Sequence, residues 1–412
     1  MRPTSGNTLL KLITAGCGVY LITGCGYVLS LLLEAGLVPS LSLITAANIA
    51  WLWYFLKNPQ PQTAPETDLR LFIVAGIVTL AACTVVKAHG AYDAWLHWNS
   101  LARYMSRPEY FRMLHRPGSL WHADYPPGLP APIGMIWRVV KSGPETVPRV
   151  ISFLFYLCIP LLLCAESTRQ SGPKHLWLGI LALFTINVEC LSQGLNQYAD
   201  VPLALFLLLS FMHWNKHIDS SGTSWFFTLG VLLGGCLLMK NEGVVVVPAF
   251  LIAHLRGWAK WRPALLLLAG LAVPLAVLVL YKAYIPTPND LVAGLKGSLS
   301  ERLRDPERYR IIGYYLLRFG LGRFPLFILF FGWVVWKSRR NGWSLSAGGL
   351  CLLLCAAGYF AVYMTTDIGL SWLVPTSLNR LVMQLLPAAV YLGIGRLHRA
   401  IGNDRFQPPQ AG

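Results

Sequence analysis

Asp93 and His97 stand four residues apart in Tyr92-Asp93-Ala94-Trp95-Leu96-His97-Trp98-Asn99. That spacing puts both side chains on one face if the segment is helical. A carboxylate between Trp95 and Trp98, partly withdrawn from water, suits general-base chemistry. The bland alternative is a solvated loop carrying an interfacial aromatic belt. A second polar group follows at His122-Ala123-Asp124-Tyr125-Pro126-Pro127-Gly128. Its two prolines fix their own φ and restrict the residue before them, so Tyr125 is expected to be extended and Asp124 to hold a defined place. The alternative there is a turn that opens a helix over 129–140. His97 with Asp93 or Asp124 is also a divalent-ion pattern. One pair specifies no metal, so no cofactor is expected, with a divalent ion as the alternative.

Three further charged positions interrupt apolar sequence. Asp200 follows the amide-rich Gln193, Asn196 and Gln197 and opens the run Val201-Pro202-Leu203, where an acid and an early proline also make an ordinary helix start. Lys240-Asn241-Glu242-Gly243 lies between Leu237-Leu238-Met239 and Val244-Val245-Val246-Val247. Charges with so little loop around them are costly unless paired or functional. Arg380 follows Thr376-Ser377-Leu378-Asn379 at the expected mouth of the last apolar run. Its planar fork suits a phosphate, and the alternative is snorkelling toward headgroups.

The elements that must position these residues are membrane helices. The 412-residue chain is 55% hydrophobic and 13% charged, against about 25% charged in an average soluble protein. Continuous apolar runs predict an all-α polytopic membrane protein and not an alternating β-barrel. Twelve spans are expected, at 9–32, 37–56, 70–88, 147–165, 174–190, 200–214, 225–240, 243–256, 263–281, 321–336, 345–363 and 381–396. The formal net charge of +16 suggests nucleic acid at first sight. The cations instead fall in alternate short loops, as the positive-inside bias requires, and nucleic-acid binding is excluded. Both termini are then cytoplasmic, and the first run is a retained signal-anchor span. The nine cysteines lie in or beside apolar runs, with no zinc spacing, and are expected to be reduced.

One integral domain, 1–412, is expected. Two extra spans fill 1–69, a core fills 70–396, and a large extracytoplasmic loop covers 89–146. Within that loop, 129–140 is too short to cross. If it did cross, every later basic loop would face outward, so it is expected to lie at the interface. The segment 299–310, with mixed charge, reads as a solvated surface helix.

Taken in order, these residues resemble the GT-C membrane glycosyltransferases, in the branch of the protein O-mannosyltransferases and the lipid A aminoarabinose transferases. The features carrying the resemblance are an early outer-loop acid (Asp93), a Pro-Pro before a short helix (Pro126-Pro127), and an acid opening a span (Asp200). A Lys-Asn-Glu-Gly turn (240–243) and a late Thr-Ser-x-x-Arg (376–380) complete the set. The resemblance spans about 70–396. It implies a polyprenyl-phosphate sugar as donor and a lipid, glycan or protein as acceptor. It also implies transfer on the outer face of a bacterial inner membrane. By position Asp93 matches the catalytic base. His97, His122, Asp124, Tyr125, Asp200, Lys240, Glu242 and Arg380 form the expected substrate-binding set. The chain departs from the pattern at Ala94, where many relatives carry Glu, and at Tyr125, where they often carry Lys. The phosphate would then face Lys240 and Arg380. The rival reading is a transporter or flippase for a lipid-linked or anionic solute, which would also keep charges in a membrane. An O-antigen-ligase-like enzyme fits less well, because its large outer loop comes late and here the main polar loop is early.

Overall fold

The computed structural model describes residues 5–57, 90–116, 118–120, 122–169, 176–218, 223–285, 299–339 and 345–405, and every regular element among them is helical. The expected span 70–88 and Trp121 lie outside the described residues. Six described helices are long and apolar enough to cross a membrane, or eight if each of two bent pairs counts as one span. The expectation of twelve added 70–88, the buried helix Asp200–His217, and the short helices Trp225–Met239 and Gly243–Ala253. The last two have only 15 and 11 residues, below the roughly 20 that cover a bilayer core.

Asp200–His217 is the central element. It is apolar on every side and buried along nearly its whole length, as such a helix must be. Trp225–Met239, Leu370–Arg405 and Thr146–Arg169 pack around it. Asp200, at its first position, is therefore fully buried. Trp225–Met239 and Trp261–Tyr284 pack closely along their length. A Cβ on Gly230 would meet the Leu267 carbonyl oxygen at 2.1 Å, and one on Gly270 would meet that of Phe227 at 2.1 Å. Without a hydrophobic drive between helices in lipid, small residues that let backbones approach are a main source of packing energy.

Two helices break where the sequence suggested single spans. Leu176–Thr185 and Val188–Leu195 meet at 62°, and Pro306–Arg323 and Pro325–Ser338 at 92°. Pro325 lacks an N–H and disfavours helical backbone before it, which ends the first helix of that pair. The two breaks are tied together. Asn187 accepts from Cys190 N at 3.0 Å, and its Nδ2 donates to the Arg323 carbonyl at 2.8 Å.

Two expectations change. The last helix begins at Leu370, not near 381, and runs to Arg405. Thr376 and Ser377 hydroxyls donate back to the carbonyls of Trp372 and Leu373, at 2.9 and 2.6 Å. Their polarity hides the helix from a hydropathy reading without interrupting it. Arg380 consequently stands three turns inside a helix, not at its mouth. The segment 299–310 is also more than a solvated helix. It forms Leu299–Arg304 and the start of Pro306–Arg323. Arg308 donates to the carbonyls of Tyr363 and Thr366 at 3.0 and 3.1 Å, and Arg302 to that of Thr365 and to Asp367. These arginines satisfy carbonyls that the end of Ala347–Thr365 leaves without helical partners. The short helix expected over 129–140 forms as Pro130–Val140. It packs on Asn99–Ser106 and on Ser5–Leu32, helped by Tyr20 donating to the Leu129 carbonyl at 2.8 Å.

Candidate active site

Four separate segments, at 93, 200, 240–242 and 380–384, bring their polar side chains together at Asp200. Oδ1 of Asp200 accepts from Lys240 Nζ at 2.8 Å and from Gln384 Nε2 at 2.6 Å; Oδ2 accepts from Arg380 Nε at 3.1 Å. The other end of the Arg380 fork, Nη1, donates to Asp93 Oδ2 at 2.5 Å. Lys240 also pairs with Glu242 Oε1 at 2.7 Å. Asp200 begins a helix, where the aligned peptide dipoles favour a carboxylate. Lys240 has extended backbone between Trp225–Met239 and Gly243–Ala253, which turns its side chain out of the helical path. Arg380 and Gln384 are one turn apart on Leu370–Arg405 and share a face. Tyr359 donates to Gln384 Oε1 at 2.6 Å and fixes that amide.

Asp93 enters this network from a turn seated on the segment before Asp200. Ala91 N donates to the Asn196 carbonyl at 3.2 Å, and Asp93 N to the Tyr198 hydroxyl at 3.4 Å. Arg380 lies over the Tyr198 ring, 4.6 Å from its centroid. The segment does begin as a helix. Ala94–Trp98 is a π-helical turn continuing into Asn99–Ser106, a distortion frequent at functional sites. Burial raises the Tyr198 phenol, with the Asp93 charge next. The hydroxyl stays protonated beside the ion pair.

The Pro-Pro turn is docked on the Lys240 turn. Gly128 N donates to the Leu238 carbonyl at 2.8 Å, satisfying one of the last groups of Trp225–Met239. A Cβ on Gly128 would meet that same oxygen at 2.4 Å, so this contact needs glycine. Tyr281 donates to the Ala123 carbonyl at 2.8 Å. Asp124 is held between them. Its Oδ2 accepts from Asn241 Nδ2 and from Lys282 Nζ, both at 3.4 Å, and Lys282 also donates to Asn241 Oδ1 at 2.8 Å. Asp124 Oδ1 is buried with no hydrogen-bond partner among the described residues. The Lys282 side chain keeps 29% of its surface exposed against 5% for Lys240, so it is the more accessible cation.

Aromatic rings form one wall. Trp98 stacks on Tyr125 with centroids 5.2 Å apart, and Tyr125 on His122 at 5.0 Å. His97 meets His122 edge-on at 4.8 Å. His122 has φ +54, which aims its ring back into the stack at a conformational cost. Loss of water raises the Tyr125 phenol, and after that the Glu242 charge does. Among the described residues no three His, Cys, Asp or Glu side chains form a metal-binding group.

All nine expected site residues therefore fall in one region, but in two clusters joined by the 240–242 turn. Asp93, Asp200, Lys240, Glu242 and Arg380 make the ion network. Asp124 makes the second cluster, and His97, His122 and Tyr125 the aromatic wall. Sequence reasoning missed Lys282, Gln384, Tyr198 and Tyr359. Lys282 had the same signal as Lys240, a cation where an apolar run ends. Gln384 had the signal of an amide inside an apolar run.

No curated protein and no solved structure matches the chain. Residues 124–281 match the family model described as dolichyl-phosphate-mannose-protein mannosyltransferase. That stretch holds Asp124, the Pro-Pro turn, Asp200 and the Lys240 turn, while Asp93, Lys282 and Arg380 lie outside it. The match and the apolar helices together support the resemblance read from the residues: the chain is similar to membrane glycosyltransferases of the GT-C type.

Proposed function

We propose that the protein transfers a sugar from a polyprenyl-phosphate-linked donor to a hydroxyl acceptor, with inversion, on the extracytoplasmic side of a twelve-span fold. The observation that carries this reading is Arg380 bridging Asp93 and Asp200. The network has three carboxylates, Asp93, Asp200 and Glu242, against two cations, Lys240 and Arg380. An incoming phosphate must therefore compete for a cation that is already paired. Arg380 is the candidate, because Asp200 can stay with Lys240 and Gln384 while Asp93 is released. Donor binding and exposure of the base become one event. Asp93 then takes the proton from the acceptor hydroxyl, whose oxygen attacks the anomeric carbon. The bond from that carbon to the phosphate oxygen breaks, and the polyprenyl phosphate leaves with the electron pair. Arg380 and Lys282 stabilise its developing charge, and Lys240 holds Asp200 in place. Asp124, with one oxygen that no described residue bonds, and the His122–Tyr125–Trp98 wall orient hydroxyls and the sugar face.

The test is to incubate the purified protein with a panel of polyprenyl-phosphate sugars and measure free polyprenyl phosphate. Release with one donor, lost in Asp93→Asn, is expected. A protein that moves lipid-linked sugars across vesicles and releases no lipid phosphate would be a transporter instead.

A further inference from the structure

A groove lies outside the ion network. It has a volume of about 830 Å³ and opens between the Asn99–Ser106 and Pro130–Val140 helices. Four of its lining residues are cations, Arg103, Arg107, Arg138 and Lys141, and none is an acid. At the surface, Glu145 reaches Arg103 at 3.9 Å. Aromatic rings stand between the charges. Arg103 lies over Trp137 at 5.9 Å and Arg107 over Tyr110 at 5.1 Å. Arg138 Nη1 is buried with no hydrogen-bond partner among the described residues. Tyr110 and Met113 in the lining are exposed, as are Val139 and Val140 where the second helix ends. The floor of that helix packs on Ser5–Leu32, one of the helices long enough to cross a membrane.

We infer that this groove binds the phosphate-bearing headgroup of an anionic phospholipid from the surrounding bilayer. Charge selects the phosphate. Arginine forks and a lysine with no acid in the lining leave donors for an anion. The apolar rim and the interfacial aromatics select an amphiphile over a free ion, since acyl chains can leave along the exposed valines and Met113. On the expected topology these cations also sit on the side from which the positive-inside bias removes them, so a local anion supplies the reason they are there. The bound lipid would brace Asn99–Ser106, the continuation of the π-helical turn that follows Asp93. The inference is independent of the proposed reaction, because it concerns occupancy alone.

The experiment is native mass spectrometry of the full-length protein in detergent, offered equal phosphatidylglycerol and phosphatidylcholine. The expected result is a preference for phosphatidylglycerol of at least about tenfold, falling to about parity in Arg107→Gln/Arg138→Gln. Equal retention of both lipids by the parent overturns the inference, and so does an undiminished preference in the double variant. If the double variant fails to keep its helical circular dichroism, the exposed Arg107→Gln alone is measured, with a reduced preference expected. Polyprenyl-phosphate binding serves as the second readout. Its retention in these variants separates this groove from the donor site.

Discussion

The ion network around Asp200 and the groove beside Trp137 are both rich in cations, and they use them in opposite ways. In the network, Lys240 is buried and the Arg380 side chain is only 15% exposed, and each bonds two carboxylates. In the groove, Arg103 and Arg107 are exposed, and the pairing of Arg103 with Glu145 is long. The difference follows from the cost of water removal. A buried charge must be paired, so a ligand gains access to it only by displacing a partner. A surface cation stays hydrated, is worth little in stability, and takes an anion without breaking anything. The network can therefore couple binding to a change in Asp93, while the groove can only be occupied or vacant.

The largest expected effect belongs to Asp93→Asn. It keeps the shape of the side chain and removes the base, so turnover should fall by roughly 10²–10⁴. Measured donor binding should hold or tighten, because Arg380 loses a competitor. Donor binding weakened as much as turnover would place Asp93 in donor recognition and end the exchange described above.

Next comes Arg380→Ala, which leaves two carboxylates facing one another. Breaking a buried pair from one side costs about 3–5 kcal/mol, visible in thermal unfolding in detergent, and polyprenyl-phosphate affinity should drop with it. Arg380→Lys should recover part of the stability and little of the affinity, since a point charge cannot bridge Asp93 and Asp200 as a fork does. Full recovery by lysine would show that bridging is unimportant.

A smaller effect is expected at Lys282. Its pairing to Asp124 is long, and its side chain is partly exposed. Lys282→Gln should weaken polyprenyl-phosphate binding several-fold while unfolding shifts by about 1 kcal/mol or less. An unchanged affinity would remove Lys282 from the phosphate site and leave that role to Arg380.

The smallest effect is expected from Arg107→Gln in the groove. With an exposed side chain, its stability should stay within about 0.5 kcal/mol of the parent, and turnover in neutral detergent should not change. Loss of turnover there would make the groove part of the reaction and erase the contrast drawn above.

Much of this was open to a reader of the sequence. The apolar runs foretold helices at eleven of twelve positions, the remaining run, 70–88, lying outside the described residues. Charges that interrupt apolar sequence are informative because burying them is costly, which singled out Asp200, Lys240 and Arg380 before any fold was known. Hydropathy failed where polarity and helicity part company. Thr376 and Ser377 bond their own helix, and Arg380 was placed at a mouth it does not occupy. It failed again at Pro306–Arg323 and Pro325–Ser338, because composition carries no bend angle.

The sequence by itself determined the membrane class, the helices and the residue types able to do chemistry, since each follows from local polarity and backbone preference. Only the tertiary structure decided the partners. Asp93 and Arg380 lie 287 residues apart, and no spacing rule connects them. Their meeting depends on Asp200–His217 being buried at the centre, with Leu370–Arg405 packed along it and the 91–93 turn seated on its approach. Asp124 and Lys282 likewise meet because Gly128 lets the Pro-Pro turn rest on the end of Trp225–Met239. Long-range pairing of charges is set by which backbones can approach, and that is a property of the packed helices.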